Sequence, residues 1–255
     1  MSFADLPPPA SGWAFFLDVD GTLLEHAEHP QAVRVSAELR GLLERLLAVT
    51  GGAVALISGR SVEDIERLFA PLAVPVAGQH GTERRSADRV LHCQTPPLER
   101  MGLAAAALVR LTAAHEGLVF ENKGMTLALH YRRAPELAGL VAREMNAITE
   151  RLGDAFELQA GKLVYEIKPS GKNKGSAIAE FMAEAPFKDR LPVFLGDDLT
   201  DELGFAVVNK LGGHSIKVGS GVSRARWHLA DAAEVHAWLR HYVAAGGRDP
   251  VRAAR

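Results

Sequence analysis

Four short segments of this 255-residue chain carry side chains whose types and spacing could do chemistry together. They are Asp18-Val19-Asp20-Gly21-Thr22, Ser58-Gly59-Arg60, Gly171-Lys172-Asn173-Lys174-Gly175 and Gly196-Asp197-Asp198-Leu199-Thr200-Asp201-Glu202. Carboxylates gathered at one place repel one another unless a hard divalent cation sits among them, and oxygen donors of this kind select Mg²⁺. A carboxylate beside Mg²⁺ can attack phosphorus to give an aspartyl phosphate, which divides a slow monoester hydrolysis into two faster steps. Asp18 is the candidate nucleophile. Asp20, two residues on, is placed to protonate the leaving alkoxide and then to take a proton from water. Gly21 keeps the loop close to the phosphoryl oxygens, while the Ser58 hydroxyl and the Lys174 ammonium offer donors to the transferring group. Taken singly, each piece has a plainer explanation: Asp-x-Asp occurs in turns, Ser58 could simply lead into a helix, and Lys174 could be a solvated lysine. A cation at a helix start nevertheless opposes the helix dipole and needs a compensating partner.

The hydrophobic pattern indicates what positions these segments. Trp13 to Leu17 is an apolar run that ends abruptly in acid and glycine, the pattern of a buried strand delivering a loop. Leu39, Leu42, Leu43, Leu46 and Leu47 form the stripe of a helix closed by Gly51-Gly52. Ala53 to Ile57 predicts a second strand, and Ser61 with Asp64 caps a helix that buries Ile65, Leu68 and Phe69. Val74 to Ala77 predicts a third strand. The same rhythm resumes after Pro169, with a helix over Ser176 to Ala185, a strand over Val193 to Leu195, a helix from near Thr200 and a strand over Ser215 to Val218. Val235, Trp238, Leu239, Tyr242 and Val243 make the stripe of a last helix, and Gly246 to Arg255 shows no periodicity. Strands alternating with amphipathic helices give an α/β, doubly wound parallel sheet, whose ligands collect beyond the carboxyl ends of the strands. Three of the chemical segments end such strands, and the fourth, Gly171 to Gly175, opens a helix.

From about residue 97 the order changes to helix (Leu98 to His115), strands (Leu118 to Asn122 and Thr126 to Tyr131), helix (Glu136 to Leu152) and strands (Ala155 to Gln159 and Leu163 to Lys168). Thr126, Ala128 and His130 alternate with Leu127 and Leu129, as in a sheet covered on one face. Paired strands between helices predict a smaller α+β domain over 97–168, inserted in a discontinuous core of 1–96 and 169–255.

Lys and Arg number 29 against 31 Asp and Glu, so a net charge of -2 supplies no field for gripping nucleic acid. With 47% hydrophobic and 24% charged residues the chain can bury a core and is not disordered. No apolar run approaches the roughly 20 residues a bilayer needs, and Met1 to Ala10 lacks the pattern of a secretory signal. The single cysteine, Cys93, cannot make an internal disulfide, which fits a reducing cytoplasm, and without a partner motif it reads as inert. The ten histidines, including His26 and His29, lack the clustering of a zinc site and read as structural or solvated.

The four segments resemble the four motifs of the haloacid dehalogenase (HAD) superfamily of phosphotransferases, with the insertion where that superfamily carries a C2-type cap. From Phe16 to about Leu239 the chain is similar to trehalose-6-phosphate phosphatases. The segments that carry this likeness are Gly78-Gln79-His80-Gly81, Glu121-Asn122-Lys123, His130-Tyr131-Arg132, Glu166-Ile167-Lys168-Pro169, Asn173-Lys174-Gly175 and Gly196 to Glu202. The resemblance implies Mg²⁺ held by Asp18, the main-chain oxygen of Asp20 and Asp197, with Asp201 assisting. It further implies that Glu121, Lys123 and Glu166 hold sugar hydroxyls, and that Arg132, Lys162 and Lys174 line the phosphate and the junction of cap and core. Gly59, Arg60, His80 and Lys168 complete the expected substrate-binding set; Lys168 stands where arginine is common and cannot reproduce a guanidinium fork. From the residues alone, Glu121 and Lys123 would read as a cross-strand or solvated charge pair.

The implied activity is hydrolysis of trehalose 6-phosphate to trehalose and phosphate, with a cap that closes about hinges near Gln94 to Pro97 and Pro169 to Gly171. A trehalose-phosphate synthase would supply the substrate. Sucrose phosphate, glucosylglycerol phosphate or mannosylglycerate phosphate as substrate, a sugar phosphomutase, and a non-catalytic module merely phosphorylated on Asp18 are the competing readings.

Overall fold

The computed structural model describes residues 6–26, 33–94, 97–161 and 163–246. Among them the elements run β1 (Trp13–Asp18), α1 (Ala37–Val49), β2 (Val54–Ile57), α2 (Val62–Phe69), β3 (Val76–Gly78), β4 (Glu83–Arg85), β5 (Leu91–Cys93), α3 (Leu98–Ala114), β6 (Val119–Asn122) and β7 (Leu127–His130). They continue with α4 (Ala138–Leu152), β8 (Phe156–Gly161), β9 (Val164–Pro169), α5 (Lys174–Met182), β10 (Leu191–Gly196), α6 (Glu202–Lys210), β11 (His214–Val218), β12 (Trp227–Leu229) and α7 (Ala232–Ala244). The described chain divides into two units, one running up to His92 and again from Asn173, the other spanning Cys93–Lys172.

The first unit is built on a sheet of order β12-β11-β10-β1-β2-β3-β4-β5. Its strands are parallel from β12 to β3. All six residues of β1 are buried because both faces of the sheet are covered. Trp13, Phe15 and Leu17 pack with α1, α2 and α7, while Ala14 and Phe16 pack with α5 and α6 on the other side. Phe15, Phe16 and Leu17 each contribute about 1.5–3 kcal/mol on full burial. The predicted stripe of α1 is buried at Leu39, Leu42, Leu43 and Leu46. Ser61 caps α2 by accepting from the Asp64 N–H, as the spacing predicts.

The sheet is not wholly parallel. β4 runs antiparallel to β3, a strand that the pattern does not announce because Glu83-Arg84-Arg85 has no apolar alternation. The short β5 and β12 were likewise not expected, three residues being too few to show a period. α5 starts two residues before the predicted Ser176, at Lys174, since Asn173 caps it.

The second unit has a four-stranded sheet, order β6-β7-β9-β8, antiparallel throughout. α3 and α4 pack on one face, where Leu108, Leu127, Leu129, Val141, Met145 and Ile167 are buried together. The expected limits 97 and 168 fall inside this unit. The Gln94 side chain donates to the Ser170 carbonyl and the Lys168 ammonium to the Lys172 carbonyl, which tie the flanking residues to it. Residues 95 and 96, within the expected hinge, lie outside the described residues, as do most of the aperiodic tail and His29. Among the described residues no helix is long and apolar enough to cross a membrane.

Candidate active site

β1 lies between β10 and β2, with Leu17 opposite Leu195 and Asp18 opposite Ile57. The chain therefore leaves the sheet at Asp18, Ser58 and Asp197 along one edge, the position expected for a ligand in an open α/β sheet. Lys174 enters from the first turn of α5, held there by a reciprocal cap: Asn173 Oδ1 accepts from the Ser176 N–H and Ser176 Oγ from the Asn173 N–H. Its buried ammonium donates to Asp18 Oδ1 at 2.6 Å and to Asp201 Oδ1 at 2.7 Å. These two carboxylates compensate a cation that the helix dipole alone would disfavour. Asp201 Oδ2 accepts from the Asp198 N–H at 2.9 Å.

Two glycines make this crowding possible. A Cβ on Gly21, which has φ +89°, would fall 2.2 Å from Asp197 Oδ2, and a Cβ on Gly196 would fall 2.3 Å from Asp201 Cγ. Either position with a side chain would displace a carboxylate. Beside them, Arg60 grips Asp20 with two bonds, Nε to Oδ2 and an Nη to Oδ1, each 2.7 Å. The Arg60 N–H donates to Ser58 Oγ at 3.1 Å. Gln79 and His80 both adopt left-handed backbone conformations, φ 45° and 56°. Their N–H groups donate to the Arg60 and Ser58 carbonyls at 2.8 and 3.0 Å, so this strained pair buttresses the Ser58-Gly59-Arg60 turn. The His80 ring lies where a Gly59 side chain would be, 2.8 Å from its Cβ position.

Burial pushes the Asp18 carboxyl well above its ordinary range; Lys174 opposes this, and the charges of Asp201 and Asp197 reinforce it. Burial and then Asp201 raise Asp197 in the same way. Burial alone would lower Lys174, but the attraction of Asp18 and Asp201 outweighs it and moves the ammonium upward. The three carboxylates offer oxygens within 4.8 Å of one another. Asp18 Oδ2 and Asp197 Oδ1 are buried and have no hydrogen-bond partner among the described residues. Two orphaned anionic oxygens beside a third carboxylate are what a hard divalent cation requires, so the residues fit one. Asp201, with an oxygen on Lys174 and the other on the Asp198 N–H, is the more occupied member of the set.

On the second unit, antiparallel pairing places Glu121 opposite Ala128 and Ala128 opposite Glu166, in one rung of the sheet. This face is opposite to the one packed by α3 and α4 and is polar. Lys123 donates to Glu166 Oε1 at 3.3 Å and Thr126 Oγ1 to the same oxygen at 2.5 Å. His130 Nε2 lies 2.9 Å from Glu121 Oε2, and this bond is the main cause holding Glu121 below the usual carboxylate range.

A family model described as Trehalose-phosphatase matches residues 16–233. The chain belongs to the trehalose-phosphatase family. It is 45% identical to a trehalose-6-phosphate phosphatase of Escherichia coli (strain K12) over 92% of this chain and 88% of that protein. A probable trehalose-phosphate phosphatase of Sinorhizobium fredii is 43% identical over 82% of this chain and 79% of its own. Among solved structures, a trehalose-6-phosphate phosphatase related protein aligns with TM-score 0.76 and 26% identity, covering 91% of this chain and 98% of the other. The C-terminal domain of the C. albicans trehalose-6-phosphate phosphatase aligns with TM-score 0.79 over 95% of each chain; at 22% identity it speaks for the fold. As a trehalose-phosphatase family member the chain is a phosphoric monoester hydrolase with a HAD-type core.

Of the residues expected to serve this family's chemistry, the structure brings Asp18, Lys174, Asp197 and Asp201 into direct or near contact and joins Asp20 to Arg60. Glu121, Lys123 and Glu166 share one sheet face. Lys168 is buried, its ammonium engaged by Glu157 and the Lys172 carbonyl. Arg132 is exposed in the turn after β7, and Lys162 lies outside the described residues. Three residues went unremarked as part of a site. Lys217, on β11, donates to the Asp197 carbonyl, and a lysine between Ile216 and Val218 in a strand was its only signal. His26, read as solvated or structural, bonds Asp197 Oδ2 at 2.9 Å. Thr126 was visible only as one member of the polar alternation.

Proposed function

We propose that the chain hydrolyses trehalose 6-phosphate to trehalose and phosphate, with Mg²⁺, through an aspartyl phosphate on Asp18. The observation that carries this reading is the buried link Asp18–Lys174–Asp201 at the strand ends, with orphaned oxygens on Asp18 and Asp197. Asp18, Asp197 and the main-chain oxygen of Asp20 would hold Mg²⁺, with Asp201 supporting it, and the ion would supply positive charge to the phosphoryl oxygens.

Lys174 holds one oxygen of Asp18 and so fixes the carboxylate for attack on phosphorus. As the phosphorus–oxygen bond to the sugar breaks, Asp20 gives its proton to the departing oxygen. Asp20, then ionised, takes a proton from the water that attacks the acyl phosphate, which releases phosphate and restores Asp18. Ser58 and Lys174 provide donors to the phosphoryl oxygens. Arg60 donates to both Asp20 carboxylate oxygens, so this pair must open to free an Asp20 oxygen for the departing group.

On the substrate side, Glu121 and Glu166 would accept from sugar hydroxyls and Lys123 would donate to them, a polar recognition suited to a neutral disaccharide. The names of the relatives from Escherichia coli and Sinorhizobium fredii favour the trehalose ester over other glycosyl phosphates. A trehalose-phosphate synthase would supply the substrate, in a reducing cytoplasm that suits the exposed Cys93.

The test is phosphate release by the purified chain with Mg²⁺ from trehalose 6-phosphate, sucrose phosphate, glucosylglycerol phosphate and mannosylglycerate phosphate. Preferred turnover of the first, with oxygen from labelled water in the released phosphate, is expected. No release from trehalose 6-phosphate alongside good hydrolysis of another ester would overturn the substrate, and phosphoryl transfer to a second sugar hydroxyl would make the chain a mutase.

A further inference from the structure

We propose that His130 is a positioning residue of the sugar site, holding the Glu121 carboxylate in the orientation in which it accepts hydroxyl hydrogens of the substrate. The proposal rests on the reading of Glu121 as a sugar-binding residue. β6 and β7 are antiparallel, with Glu121 opposite Ala128 and Val119 opposite His130. Glu121 and His130 are therefore diagonal neighbours on one face, at a separation that long side chains bridge. His130 Nε2 stands 2.9 Å from Glu121 Oε2. An ionised carboxylate only accepts, so this ring nitrogen carries the hydrogen and donates.

The arrangement parallels that of the other carboxylate in the rung. Glu166 is held by Lys123 and Thr126 from the same face. Ala128, between the two glutamates, is too short to serve either, so each carboxylate has donors of its own. Glu121 is half-exposed, and an unheld glutamate would lose rotamer freedom on meeting a ligand. A carboxylate has about four lone-pair positions, and the bond to His130 occupies one, which leaves the others for sugar hydroxyls. His130 thus restricts Glu121 without filling its acceptor capacity.

The experiment is steady-state kinetics on trehalose 6-phosphate, with Mg²⁺, of the full chain and its His130→Ala, His130→Gln, Glu121→Ala and His130→Ala/Glu121→Ala variants. His130→Ala should raise KM about tenfold, the scale of one charge-assisted hydrogen bond, with kcat changed by less than about twofold. His130→Gln, whose amide can donate to Glu121, should recover most of the loss. The double variant should be no worse than Glu121→Ala alone, because His130 acts only through Glu121. Unchanged KM in His130→Ala while Glu121→Ala raises it, multiplying effects in the double variant, or a fall in kcat together with the melting temperature would each overturn the role of His130 and leave the sugar site standing. Unchanged KM in Glu121→Ala would overturn the sugar site itself.

Discussion

At the edge of the core sheet the side chains of Lys174, Asp18 and Asp201 are 4%, 5% and 0% exposed, whereas on the inserted sheet His130 and Glu121 are 36% and 46% exposed. Both places set carboxylates against nitrogen donors, yet the physical demands differ. Charges removed from water hold together only through mutual pairing, so each core group is committed to a partner and the orphaned oxygens are left for an ion. The His130–Glu121 pair on the inserted sheet keeps part of its hydration and can exchange partners with a ligand, whereas Glu166 beside it is buried. On the proposed function, phosphoryl transfer would take place among the fixed core groups, and Glu121 would meet the sugar where hydration is kept.

The largest effect that tests this contrast belongs to Asp18→Asn, which removes the proposed nucleophile at nearly constant volume. Phosphate release should fall on the order of 10³-fold or more while the far-UV circular dichroism is kept. Turnover near that of the parent chain would end the assignment. Lys174→Met should come next, since it leaves Asp18 and Asp201 buried without their cation. With EDTA present, urea unfolding should show a loss of about 3–5 kcal/mol, against less than about 1 kcal/mol for Glu121→Ala on the exposed pair. Equal losses would erase the distinction between the two regions.

Gly21→Ala probes the same crowding from the backbone. The added Cβ would press on the Asp197 carboxylate, and Mg²⁺ affinity measured by titration calorimetry should drop about tenfold or more. An unaltered affinity would detach Asp197 from the ion. The smallest effect is a pH dependence. Burial raises Asp18 and Asp197 above the ordinary 3.8, so the native state binds protons more tightly than the unfolded chain. Their contribution to stability is complete below 3.8 and is lost as pH rises through the raised native values. Mg²⁺ needs the ionised carboxylates, so the gain in Tm on adding it should grow over that rise, at about 2–4 °C per kcal/mol. A gain that does not change with pH would argue against these carboxylates as its ligands.

Much of this was legible in the residues. β1, α1, β2 and α2 follow from apolar runs, a leucine stripe and the Ser61 cap, all of them local patterns. Asp18, Asp197, Asp201 and Lys174 could be gathered because each follows an apolar strand or opens a helix, and strand ends share an edge in a parallel sheet. β4 and Lys217 were not legible. The first is held by pairing with β3 and not by its own polar sequence, and the second matters only because β11 lies beside β10.

By itself the sequence determined the phosphatase class and singled out the residues proposed to carry it, because motif chemistry and hydrophobic period are written within a few positions of one another. Only the tertiary structure decided which oxygen pairs with which donor. Asp20 with Arg60, Lys174 with Asp18, and His26 with Asp197 are 40, 156 and 171 residues apart in the chain. Such pairings depend on strand order and register, which bring together segments that carry no trace of one another locally.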